Sequence, residues 1–303
     1  MLRSLLLYLS EREFPKKLLT SHALGRRLAA RFIAGEELED ALQAVRRLNS
    51  EGFAVTLDYL GESVHEAGTA EEATRVYLSV LDRLAAEKLN AHVSIKLTQL
   101  GLAIDEGLAC RNLAALCERA AREQNFARVD MEGSAFTEAT LRVFRAVNAP
   151  REVLGIAIQS YLYRSEKDIT DLLKYGARVR LVKGAYKEPP EIAFPRKADV
   201  DRSFQKLTEQ LLSSGGYHAI ATHDARLIAA TQEFSRAQGF ARDRFEFQLL
   251  YGIRRQLQRD LLRQGWRVRI YVPYGRQWYS YFMRRLAERP ANLLFLVRNL
   301  FRR

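Results

Sequence analysis

The chain has 303 residues, with 48 Lys and Arg against 36 Asp and Glu, for a net charge of +12. That excess invites a nucleic-acid or anionic-lipid reading, but no recognised nucleic-acid motif accompanies it. Much of it sits in Arg-Arg pairs within helix-like stretches, where a solvated basic face is the simpler account.

In chain order, the opening Leu5-Leu6-Leu7-Tyr8-Leu9 is too short to cross a bilayer. Glu11, Arg12 and Glu13 follow without a cleavage site, so a cytoplasmic address is expected. Residues 2–49 read as helices. Apolar or alternating runs then recur at 53–57, 92–98, 128–132, 155–161, 179–186, 218–224, 244–251 and 268–274, each ending in polar or aromatic residues. Between them lie stretches of helical periodicity, such as 70–89 with Val76, Leu78, Val80, Leu81 and Leu84, and 108–121 with Leu113, Leu116 and Ala120. Strand then helix, eight times over, predicts a (β/α)8 barrel with its functional residues at the carboxyl ends of the strands. No linker composition divides the chain. One domain is therefore expected over 1–303, with helices over 1–50 and the barrel and a C-terminal helix over 51–303.

The predicted strand ends carry Lys96, Asp130, Glu132, Gln159, Tyr161, Lys183, Tyr186, Thr222, His223, Asp224, Gln248, Tyr251, Tyr271 and Tyr274. Val93, Ile95, Val129, Ile156, Ile158, Val179, Leu181, Ile220, Phe245 and Ile270 are the expected core. Arg180, inside so apolar a run, demands an anionic partner, because an unpaired buried charge is costly. Cys110 and Cys117 lie seven apart on a predicted helix, about 10 Å at ~1.5 Å per residue, beyond disulfide reach. The five histidines show no metal-ligand spacing, so no metal is expected. No phosphate loop, nucleophile elbow or Gly-x-Gly-x-x-Gly turn occurs. In 278–288, Tyr281, Arg284, Arg285 and Glu288 share a helix face, and the two guanidinium groups with Lys96 would make a cage for a small carboxylate.

At these residues the sequence resembles the proline dehydrogenases, both the bacterial monofunctional enzymes and the matching domain of bifunctional proline-utilisation proteins. The motifs are Leu57-Asp58-Tyr59-Leu60-Gly61-Glu62, Ser94-Ile95-Lys96-Leu97-Thr98, Val129-Asp130-Met131-Glu132, Val179-Arg180-Leu181-Val182-Lys183-Gly184-Ala185-Tyr186, Ala221-Thr222-His223-Asp224, Phe247-Gln248-Leu249-Leu250-Tyr251-Gly252 and Arg284-Arg285-Leu286-Ala287-Glu288. The resemblance implies a distorted barrel that holds FAD and oxidises L-proline to Δ1-pyrroline-5-carboxylate, with electrons passed to a membrane quinone. It further implies that Arg284, Arg285 and Lys96 bind the proline carboxylate, and that Tyr271, Tyr281 and Leu250 wall in the ring. Asp130 and Arg180 would serve the reaction, with Arg180 stabilising negative charge on the reduced flavin. Met131, Gln159, Arg180, Lys183, Gly184, Ala185, Thr222, His223 and Gln248 would contact FAD, with Tyr186 and Glu288 one layer back.

Two other readings stand beside this one: a Schiff-base lyase using Lys183 as nucleophile, and a non-catalytic basic protein that binds membrane or nucleic acid. Nucleic acid is not expected as a partner. The apolar, arginine-tipped segment 291–303 suggests peripheral contact with the inner face of the cytoplasmic membrane, and a homo-oligomer is compatible with the sequence.

Overall fold

The computed structural model describes residues 29–288, with the side chains of Ala287 and Glu288 excepted. Eight parallel strands alternate with helices: β1 (Ala54–Tyr59), β2 (Ala91–Ile95), β3 (Ala127–Val129), β4 (Leu154–Gln159), β5 (Arg178–Val182), β6 (Ala219–Ala221), β7 (Glu246–Leu250) and β8 (Arg267–Tyr274). β1 pairs with β2 on one side and β8 on the other, with Val55 opposite Ala91 and Ile270, so the sheet closes on itself. This is the expected (β/α)8 barrel.

The described helices are α1 (Leu38–Ser50), α2 (Ala67–Ala86), α3 (Glu106–Arg122), α4 (Ser134–Val147), α5 (Ser165–Lys174), α6 (Lys197–Ser213), α7 (Ala225–Ala237), α8 (Arg255–Arg263) and α9 (Trp278–Glu288). Sequence chemistry sets several of their starts. Asp105 accepts a hydrogen bond from the Leu108 amide to begin α3, and Asp224 accepts one from Arg226 to begin α7. In α2 the buried stripe is Ala70, Ala73, Thr74, Tyr77, Val80, Leu81 and Leu84. Val76 and Leu78, read from sequence as part of that stripe, sit at its half-buried margins because the helical period turns them off the barrel.

Core residues lie where the strands turn one face outward to the helices. Val93, Ile95, Val129, Ile156, Ile158, Val179, Leu181, Ile220, Phe245 and Ile270 are all buried in one cluster with helix residues such as Leu81, Leu113, Leu116, Leu172 and Leu211. The other strand face encloses charge. Arg180 on β5 reaches Ser94 on β2 and Asp130 just past β3, and Tyr271 on β8 also reaches Asp130, bonds that must cross the barrel lumen.

A second cluster, of Phe32, Ile33, Leu60, Trp278, Tyr279, Phe282, Met283 and Leu286, fastens α9 beside the end of β1. The Trp278 indole donates to Glu36 at 2.9 Å, and the Ala34 amide donates to the Pro273 carbonyl at 2.9 Å. Of the expected N-terminal helices, α1 is described, while residues 1–28 and the segment 291–303 lie outside the described residues. Cys110 and Cys117 are free thiols. Among the described residues, no helix is long and apolar enough to cross a membrane.

Candidate active site

Several strands end earlier than their hydrophobic runs suggest. β2 stops at Ile95, β3 at Val129, β5 at Val182 and β6 at Ala221. Lys96, Asp130, Lys183, Thr222 and His223 therefore occupy the first positions beyond the ladder, where the backbone is released from the sheet and its side chains can converge. They do converge, on a cavity of about 370 Å³ at the carboxyl ends of the strands. Its lining includes Lys96, Asp130, Met131, Gln159, Arg180, Lys183, Gly184, Ala185, Tyr186, Thr222, His223, Gln248, Leu250, Tyr271, Tyr281, Arg284 and Arg285. Every residue that the resemblance assigns to the site lines it except Glu288, whose side chain lies outside the described residues, whereas Glu132, Tyr161, Asp224, Tyr251 and Tyr274, also read at strand ends, are not part of the lining. Tyr186 was expected one layer back, but it lines the cavity itself, two residues beyond the positive φ of Gly184.

The floor is an ion-pair network. Arg180 donates from Nε to the Gln248 amide oxygen at 2.5 Å and from Nη1 to Ser94 Oγ at 2.9 Å, with Asp130 as its anionic partner. Nη2 has no partner among the described residues although it is buried at the cavity. Burial by itself would raise the Asp130 carboxyl, but the adjacent Arg180 and Lys96 charges prevail and hold it below the ordinary carboxylate range. Tyr271 donates to Asp130 at 2.8 Å, and the Arg180 guanidinium lies 5.4 Å from the centre of the Tyr271 ring. Lys96 Nζ is 2.7 Å from Asp58, 3.3 Å from Tyr271 and 3.6 Å from Asp130, so its charge is already balanced by two carboxylates. Asp58 is fully buried, which pushes its carboxyl up even with Lys96 drawing it down.

The wall formed by α9 is also paired. Arg284 makes a two-pronged bond to Glu62, at 2.5 and 3.0 Å, the fork geometry that suits a guanidinium and a carboxylate. The Arg285 guanidinium sits 5.0 Å from the centre of the Tyr281 ring. Sequence reasoning did not select Asp58 and Glu62, although both fall in the quoted motif after β1; the signal was available in the question of which anions balance Lys96 and Arg284. Ala157, Val182, Ala221 and Leu249, also unselected, supply apolar strips of lining. Gly184 is required by its surroundings: its φ is +119°, and a Cβ would approach the Tyr161 ring to 2.4 Å.

Lys183 Nζ is bridged between Asp201 at 2.5 Å and Asp224 at 3.1 Å, the arrangement of an orienting ion pair and not of a nucleophile. The lyase alternative therefore finds no support in the geometry. Several arginines of the Arg-Arg pairs read as a solvated basic face have local partners. Arg46 bridges Glu39 and Glu87, Arg47 donates to the Tyr251 hydroxyl, and Arg254 donates to the His223 carbonyl.

The arrangement can seat a small anion against α9 and a group bearing hydrogen-bond acceptors beside Arg180. The family model for proline dehydrogenase matches residues 41–298. The chain is 42% identical over 299 residues to proline dehydrogenase 2 of Bacillus subtilis strain 168, covering 98% of both chains. It is 41% identical over 280 residues to proline dehydrogenase of Deinococcus radiodurans, covering 91% of this chain and 90% of that one. Among solved structures it resembles proline utilization A from Bdellovibrio bacteriovorus inactivated by N-propargylglycine, with a TM-score of 0.81 and 26% identity, covering 87% of this chain and 33% of that longer one. The chain belongs to the proline dehydrogenase family.

Proposed function

We propose that this protein oxidises L-proline to Δ1-pyrroline-5-carboxylate with FAD as resident cofactor and a membrane quinone as electron acceptor. The observation that carries this reading is a single cavity in which Arg284 and Arg285 face the same space as Arg180, whose buried Nη2 awaits an acceptor. A buried donor left without a partner is costly, and a flavin ring edge offers acceptors of the right kind. Met131, Gln159, Lys183, Gly184, Ala185, Thr222, His223 and Gln248 would hold the cofactor, and the apolar strips from Ala157, Val182 and Leu249 suit a flat ring. When bound, FAD supplies the two-electron acceptor that side chains lack.

The remaining work falls to the protein. Arg284 and Arg285 bind the proline carboxylate, with Glu62 holding the Arg284 fork in orientation. Lys96 contributes less net attraction than its position suggests, because Asp58 and Asp130 already balance it. Its ammonium acts chiefly to fix Asp130 and Tyr271. Tyr271, Tyr281 and Leu250 confine the ring, so that the carboxylate anchor and the walls together determine which carbon faces the acceptor. Arg180 places positive charge where negative charge develops.

Contact with a membrane surface, by which electrons would reach quinone, is supported by the net charge of +12. The test is direct. Natively purified protein should be yellow, bleach anaerobically on adding proline, and recover its colour with a soluble quinone analogue. Protein reconstituted with FAD that proline cannot bleach would overturn the reading.

A further inference from the structure

Beneath the cavity, the lumen holds a second set of charges, which lines no part of the cavity itself and meets the groups assigned above only at Gln248. Glu246, at the start of β7, is 3% exposed. Its Oε1 accepts from Arg269 Nε at 2.8 Å and from the Gln248 side-chain amide, and its Oε2 accepts from the Tyr217 hydroxyl at 3.1 Å. Arg269 also donates to the Val55 carbonyl at 2.8 Å, which ties this anion to β1 as well as β8. Burial opposes charge on Glu246, yet Arg269 outweighs it and the carboxyl is drawn down to about 2.

This fixed anion determines how Gln248 stands. A side-chain amide has a donating end and an accepting end. Gln248 lies between Glu246, which can only accept, and Arg180 Nε, which can only donate. Only one of its two amide orientations makes both bonds; the other would set NH2 against guanidinium and carbonyl against carboxylate. With the amide so held, Arg180 has Nε committed to Gln248 and Nη1 to Ser94 and Asp130, and Nη2 alone is left for the cavity.

We propose that Glu246 is a positioning residue for the redox site, which through Gln248 sets the direction in which Arg180 presents its remaining donor. The inference rests on the flavin reading above. Groups that orient a working residue from behind commonly matter by about tenfold or more, as they do behind metal ligands.

The test compares Glu246→Gln with wild type in FAD-loaded protein, reading the flavin midpoint potential and the rate of flavin reduction by proline. A neutral amide beneath Gln248 supports either orientation. The potential should therefore fall in the same direction as in Arg180→Met, and reduction at saturating proline should slow by about tenfold. In a Gln248→Met background, which cuts the relay, Glu246→Gln should shift the potential no further. An unchanged potential in flavin-loaded Glu246→Gln, or an equal shift persisting in the Gln248→Met background, would overturn the proposal and leave Glu246 as a structural ion pair. Should Glu246→Gln not fold, Glu246→Asp keeps the charge but withdraws it by one methylene; a potential equal to wild type would then count against the relay, and a smaller fall in the same direction would support it. A wild-type protein that neither retains FAD nor is reduced by proline is a different result, and refutes the function rather than this residue's part in it.

Discussion

Replacing Arg284 by Met removes one side of a pair whose partner cannot leave. Glu62 receives both prongs of the guanidinium at 2.5 and 3.0 Å. Breaking a buried ion pair costs about 3–5 kcal/mol, mostly because the surviving charge is stranded. The two side chains are 16% and 22% exposed, so water offsets part of that, and about 2–3 kcal/mol is the better expectation. The sign with pH follows from Glu62. Burial would raise its carboxyl, but Arg284 and then Lys96 bring it below its ordinary range, so in the wild type this pair stabilises above the unfolded carboxylate range and is lost as pH falls through the folded value. In Arg284→Met, burial is opposed by Lys96 alone and Glu62 moves up. The stability deficit should thus be greatest near neutral pH and narrow on acidification as Glu62 takes a proton. Denaturant midpoints across pH 5 to 8 check this, and the double change Glu62→Gln with Arg284→Met should recover most of the stability. It should not recover activity, since a charge-assisted contact to the proline carboxylate worth about 1.5–3 kcal/mol is gone, or roughly 10- to 150-fold in kcat/KM. Near-normal kcat/KM at low proline in the double variant, or a deficit that grows on acidification, would refute the reasoning.

Further outcomes can be checked alongside. Changing both Arg284 and Arg285 to Met should abolish proline-dependent bleaching while the protein still retains FAD; loss of flavin with the arginines would move them to the cofactor side. Arg180→Ala should leave the protein depleted in FAD or lower its potential, and Lys should substitute poorly because a point charge cannot make the Nε and Nη1 bonds together. Gly184→Ala should sharply reduce soluble yield or flavin content, since a Cβ there meets the Tyr161 ring at 2.4 Å from a φ of +119°; an unaffected variant would show that the loop can shift. Because Glu246 is drawn down to about 2, its stabilisation is present above the unfolded carboxylate range and lost between there and about pH 2, so Glu246→Gln should show a shallower acid-unfolding profile than wild type. Binding to anionic vesicles should be measurable at low salt and fade with ionic strength, at about 1 kcal/mol per basic residue near the surface. Absence of binding in protein that still turns over would detach the positive charge from the electron acceptor.

Much of this molecule was legible in one dimension. Eight apolar runs separated by helical periodicity determine a parallel barrel, because each strand buries an outward face on a helix, and Val93, Val179 and Ile270 could be named as core from alternation alone. The candidate site was legible for the related reason that barrel chemistry collects at strand ends, so Lys96, Asp130, Lys183 and Thr222 stood out as polar residues closing apolar runs. Arg180 even announced the need for an anion.

Which anion answered was a tertiary matter. Asp130 on the far side of the lumen, Asp58 beneath Lys96 and Glu62 opposite Arg284 are separated from their partners by 50, 38 and 222 residues, and only barrel closure and the docking of α9 bring them within hydrogen-bond range. The same holds for Glu246, which in sequence is an ordinary acidic residue among phenylalanines. Residue type and period determine which face of a strand is polar. Which charges then meet inside the barrel depends on the stagger of eight strands and the seating of one helix, and Coulomb attraction and desolvation act only on those final distances.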